Sequence, residues 1–74
     1  MINKNLSDLL QKLEKEKKNV ETFFLLPSGL LRGNFEKYNQ NEEFVTLSNC
    51  YLSNTKIETK ITIWVEVIHG WGTK

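Results

Sequence analysis

Residues that carry chemistry are scarce in this chain. It holds one cysteine, one histidine, one proline and one methionine among 74 residues. A single thiol, Cys50, excludes an internal disulfide. A single imidazole, His69, with no Cys/His cluster, argues against a structural zinc site. No apolar run approaches the roughly 20 residues of a membrane span, and no signal-peptide core is present. With a free cysteine, this points to a reducing cytoplasm. Charge of either sign is in balance: ten Lys and Arg face nine Asp and Glu, a net +1. That is not the footprint of a strong duplex-DNA binder. The carboxylates have no spacing that pairs them for acid–base work. Pro27-Ser28-Gly29-Leu30 lacks the glycines and the lysine of a phosphate-binding loop. No catalytic residue, cofactor or metal ligand is expected, and the chain does not read as an enzyme.

What is present suits one small domain, 1–74. A chain this short buries only about 60% of the surface its unfolded form exposes. Disulfides, metals or subunit contacts usually make up the deficit. With the first two set aside, subunit contacts remain, and a homo-oligomer is the default expectation.

Residues 4–19 have the period of a helix. Leu6, Leu9, Leu10 and Leu13 recur at i, i+3, i+4 and i+7, which makes one narrow apolar stripe. Lys17 and Lys18 suit the negative C-terminal end of the dipole. Asn19 can take the left-handed conformation that ends a helix. The stripe predicts a surface helix packed over an open end or face of a sheet.

From Val20 the period becomes two. Phe23-Phe24-Leu25-Leu26 is apolar on both faces and predicts a strand buried on both sides. Pro27-Ser28-Gly29 is a turn. A second strand runs from Leu30 to about Tyr38, with Gly33 inside it, where a glycine signals a sharp bend or a close backbone approach. Asn39 to Glu42 is a polar turn, and Phe44 to about Leu52 is a third strand. Residues 56–63 alternate most cleanly, with Ile57, Thr59, Ile61 and Ile63 on one side. Val65 to His69 reads as a short fifth strand. The pattern predicts a mainly β fold: an N-terminal helix followed by a small, five-stranded, strongly bent antiparallel barrel over 20–71.

The order of helix, Gly-containing hairpin, Gly33-bearing strand, Tyr38-Asn39 turn and Phe44-Val45-Thr46-Leu47 strand resembles the first motif of the Sm-like (Lsm/Hfq) proteins. The second motif aligns in two registers. One puts Ile68-His69-Gly70 on the family's Ile-Arg-Gly and leaves only Trp71 to Lys74 for the last strand. The other, preferred, puts Ile63-Trp64-Val65 there, with Ile68 and Trp71 continuing as buried last-strand positions. Neither supplies the arginine, and the Tyr-Lys-His signature of Hfq is absent.

The resemblance implies a hexameric or heptameric ring, closed by the fourth strand of one subunit pairing with the fifth of the next. Here those edges are read as Ile57–Ile63 and Val65–His69. It also implies single-stranded RNA bound near the pore, by an aromatic that stacks on a base and polar groups that hold it. Carried over by position, the base site is Tyr38, Asn39, Glu43 and Trp64. Tyr38 or Trp64 would stack and Asn39 would read a base edge. Glu43 has the wrong charge beside phosphate. Trp64 can equally fill the core or an interface, and Trp71 reads as an interface or core plug. Arg32 can reach phosphate on a ring face, or be a solvated strand charge or part of an intersubunit salt bridge. His69 can contact RNA or hydrogen-bond backbone at a strand edge. Lysines of the helix, repeated by ring symmetry, would give a second, basic RNA face. The alternative is an oligomeric barrel that binds protein partners without RNA, which the weak net charge favours.

Overall fold

The computed structural model describes residues 4–17 and 19–73, so the place expected for Lys18 at the helix end lies outside the described residues. Helix α1 spans Lys4–Glu16. Leu6, Leu10 and Leu13 are buried beneath it and Leu9 packs at their side, as the apolar stripe requires. The helix stops earlier than expected. Lys17, at φ 54°, takes the left-handed turn assigned to Asn19. Asn19 has another use. Its amide donates to the Phe35 carbonyl at 2.9 Å and to the Glu36 carboxylate at 3.1 Å. These bonds clamp the linker after the helix onto the sheet.

Among the described residues six antiparallel strands follow: β1 Glu21–Leu26, β2 Gly29–Asn39, β3 Phe44–Leu52, β4 Thr55–Lys56, β5 Ile61–Trp64 and β6 Gly70–Thr73. Their order is β4-β3-β2-β1-β6, and β5 shares with β4 the outer edge of β3. The first three strands lie where the alternation puts them. The next two differ from expectation. The single strand over 56–63 is broken into β4 and β5. Ile57 still donates to the Cys50 carbonyl at 2.8 Å, but the chain leaves the ladder before Ile61. The cause is a bulge in β3, where two residues, Asn49 and Cys50, oppose Gly33. Asn49 takes a left-handed φ of 50° to make it. A bulged strand bends, and its neighbour cannot follow with an unbroken ladder.

The predicted fifth strand, Val65–His69, is instead a 3-10 turn over Val65–Val67 and a short link. The true last strand starts at Gly70. The reason is topological. β5 pairs with β3 and β6 pairs with β1, on opposite sides of the sheet. The chain must turn a corner between them, and the turn closed by Ile68 N–H to the Val65 carbonyl at 3.1 Å does so.

Gly33 sets the bend. A Cβ there would lie 2.9 Å from the Ser48 carbonyl and 3.0 Å from Cys50 Sγ, too close for either to remain in place. A second bulge puts Glu36 as an extra residue in β2, between the pairs Phe35–Leu47 and Lys37–Thr46. Inside the bent sheet lie Phe24, Leu31, Phe35, Tyr38, Val45, Leu47, Cys50 and Ile63. The outer side carries Phe23, Leu25, Leu30 and Arg32 at one end and Phe44 and Trp64 at the other. β1 is therefore not buried on both faces: Leu25 is 50% exposed.

Candidate nucleic-acid interface

Two backbone segments meet at one end of the sheet: the turn 40–43 after β2, and the point where β5 enters the 3-10 turn. Asn39 builds the first. Its side-chain Oδ1 accepts from the Glu42 N–H at 2.9 Å and its carbonyl accepts from the Glu43 N–H at 2.7 Å. This side-chain-to-backbone bond, made three residues on, competes locally with continued strand, as Asn favours. Glu43 then takes a left-handed φ of 61°. Its carbonyl accepts from the Val65 N–H at 2.9 Å, which ties the two segments together. Phe44 and Trp64 are direct cross-strand partners. Their rings meet edge to face, with centroids 5.9 Å apart at 80°. Trp64 is 55% exposed.

The structure brings Asn39, Glu43 and Trp64 together. It does not present Tyr38 beside them. That ring lies in the core, with its hydroxyl 3.4 Å from Ser7 Oγ on α1. A ring held there offers no face to a base, so the expectation that Tyr38 stacks is corrected. The extra residue at Glu36 is the cause, because one bulge reverses which side every later residue faces. Phe44 stands outward instead and was missed. The alternation of Val45 and Leu47 as core residues places Phe44 on the other side, so the signal was in the sequence. Arg32 is elsewhere, paired with Tyr51 across β3, its guanidinium 4.6 Å from the Tyr51 ring centroid. His69 is exposed beside β1, and its backbone N–H donates to the Leu25 carbonyl at 2.8 Å.

The helix borders this end. A hollow of about 280 Å³ is lined by Gln11, Glu14 and Lys15 of α1 and by Tyr38 and Gln40. Lys4, Lys12, Lys15 and Lys17 are exposed. Two titratable groups inside the scaffold are displaced from their ordinary values. The Ser48 hydroxyl, bonded at 2.7 Å, holds the Glu36 carboxyl below its usual range, helped by Lys60 and Asn19 against partial desolvation. Burial pushes the Cys50 thiol up, against a backbone hydrogen bond from Ile61, which leaves it a poor nucleophile at neutral pH. Among the described residues no group of three or more His, Cys, Asp or Glu is placed to hold a metal ion. No helix among them is long and apolar enough to cross a membrane.

Compared with models of known protein families the sequence matches none, and it matches no curated protein. The three-dimensional comparison decides the fold. The chain superposes on the crystal structure of an SmAP (LSm) protein from Methanococcus vannielii with a TM-score of 0.67. The match covers 97% of this chain and 99% of that one, at 19% identity. The chain has the Sm-like fold. What it shares with that fold is the N-terminal helix followed by a strongly bent antiparallel sheet. Ile63-Trp64-Val65 lies where β5 passes into the 3-10 turn, and the last strand begins at Gly70.

Proposed function

We propose that this Sm-like chain assembles edge to edge into a non-catalytic ring and holds single-stranded RNA where the turn 40–43, Phe44 and Trp64 meet. One observation carries this reading: half-buried Phe44 and exposed Trp64 are fixed as an edge-to-face pair beside Asn39, next to an edge of β5 that no described strand covers. Phe44 supplies a ring face to a base, the Asn39 amide nitrogen addresses a base edge, and Trp64 bounds the site on its open side. Lys15 of α1 borders the same end, and the exposed lysines of the helix attract phosphate when repeated around a ring. Arg32 and His69 lie outside this site. The resemblance to Sm-like proteins supports six or seven subunits in that ring.

The test is native mass spectrometry of the purified chain, followed by titration with short oligo(U) and oligo(A) at low and moderate salt. A ring that binds RNA with salt-dependent affinity is the expected result. Phe44→Ala should weaken binding roughly 5- to 150-fold, the worth of about 1–3 kcal/mol for one stacked base, with the ring mass unchanged. An intact ring that binds neither oligonucleotide at low salt would overturn the RNA reading. It would favour the second reading, a scaffold for protein partners alone, which exposed Glu42 and Glu43 beside the aromatic pair support through their repulsion of phosphate.

A further inference from the structure

Two outward-facing positions of β6 are glycines, and nothing among the described residues requires them. Gly70 and Gly72 stand opposite Leu25 and Phe23 of β1, on the outer side of the sheet. Neither has a positive φ, which would demand glycine. A Cβ at Gly70 would meet Leu25 Cβ at 3.5 Å, an ordinary contact, and a Cβ at Gly72 would meet nothing within 4 Å. Glycine weakens a strand unless something approaches its backbone closely. Among the described residues no group makes such an approach at Gly72.

The glycines floor a shallow groove of about 290 Å³. Phe23, Leu25 and Leu30 wall it, and Leu25 and Leu30 are about half exposed. The groove runs out onto the edge of β6 that no described strand covers. Across the molecule, β5 has the complementary form. Its outward positions are Thr62 and Trp64, and Trp64 is the most exposed large apolar side chain among the described residues. Inward positions on both edges, Ile63 and Trp71, join the core side. If the β5 edge of one subunit pairs with the β6 edge of the next, outer faces continue into outer faces. A bulky residue then meets a glycine, and an exposed indole meets an exposed apolar groove.

We infer that Trp64 docks across Gly70 and Gly72 into the Phe23–Leu25–Leu30 groove of a neighbouring copy of this chain. The inference rests on the ring reading above and names the contact that locks it. It accounts for the doubly apolar character of β1, whose outer side the single subunit leaves open. It also gives the contact a direction, because the knob is on one edge and the groove on the other. A head-to-tail contact of this kind builds a ring where its rotation closes, and an open filament otherwise, rather than a twofold dimer.

The experiment compares wild type, Trp64→Ala, Gly72→Ala and Gly72→Val by sedimentation velocity across a dilution series, with circular dichroism as the check on folding. Open space above Gly72 means that the subunit tolerates both substitutions. Valine also has the higher strand propensity, so backbone pairing alone would be kept or improved. The expected result is a folded Gly72→Val chain whose assembly dissociates at a protein concentration at least tenfold higher, with Gly72→Ala intermediate and Trp64→Ala similar to Gly72→Val. A Gly72→Val ring of unchanged mass and dissociation range overturns the inference while the ring stands. So does a Trp64→Ala ring that is intact and has lost only RNA affinity. A wild-type chain that stays monomeric at high concentration overturns the ring reading and this contact with it.

Discussion

Gly33 does more to shape this molecule than any catalytic-looking residue. Its missing side chain lets the Ser48 carbonyl and Cys50 Sγ close on the backbone of β2, and the β3 bulge forms around that approach. Gly33→Ala inserts a methyl group into this contact. The expected loss is about 1–3 kcal/mol, the usual cost of overpacking a well-filled site, read as a lower denaturant midpoint with little change in slope. A neutral result would mean that the bend is set elsewhere. Gly29 serves a different need. At φ 133° it turns the β1–β2 hairpin in a conformation that side chains rarely adopt, and a Cβ there would collide with Ser53 Oγ.

Elements are joined at Glu36. As the extra residue of the β2 bulge, its carboxylate gathers Asn19 from the linker after α1, Ser48 from β3 and Lys60, at 3.6 Å, from the loop before β5. Its pKa is lowered in the folded state, so the sign of its pH effect is settled. Its stabilising contribution is fully present above the ordinary value of 4.5 and is lost as pH falls through the lower folded value. Glu36→Gln keeps the shape of the side chain and removes the charge. The variant should be less stable than wild type at neutral pH, and the gap should narrow as the solution is acidified below pH 4.5. Thermal melts of both proteins across that range give the answer, and parallel curves would deny Glu36 this role.

On the scale of the whole molecule, a short chain whose described strands leave the edges of β5 and β6 uncovered, with a half-exposed apolar outer face, has unfinished surface. Uncovered edges invite pairing with another chain. Assembly that binds only the folded subunit raises stability by mass action. The melting temperature of the wild-type chain is therefore expected to climb with protein concentration, and that of Gly72→Val to climb only at higher concentrations. A melting temperature independent of concentration for wild type would count against assembly.

The amino-acid sequence alone determined the helix, its buried stripe, the first three strands and the importance of Gly33. Those signals lie within a few residues of one another, as leucines at helical spacing or as strict alternation. It also carried the outward aromatic at Phe44, one residue after a polar turn. Tertiary structure alone decided the rest. The residues that break 56–63 into β4 and β5 are not in that segment but across the ladder, in the bulge at Asn49 and Cys50. The corner at Val65–Val67 exists because β5 and β6 attach to opposite sides of the sheet, a fact that no local period encodes. Tyr38 is the clearest case. Plain alternation from buried Phe35 turns it outward, and the one extra residue at Glu36 turns it in. A single bulge reverses every face beyond it, and whether one forms depends on a partner strand that is distant in sequence.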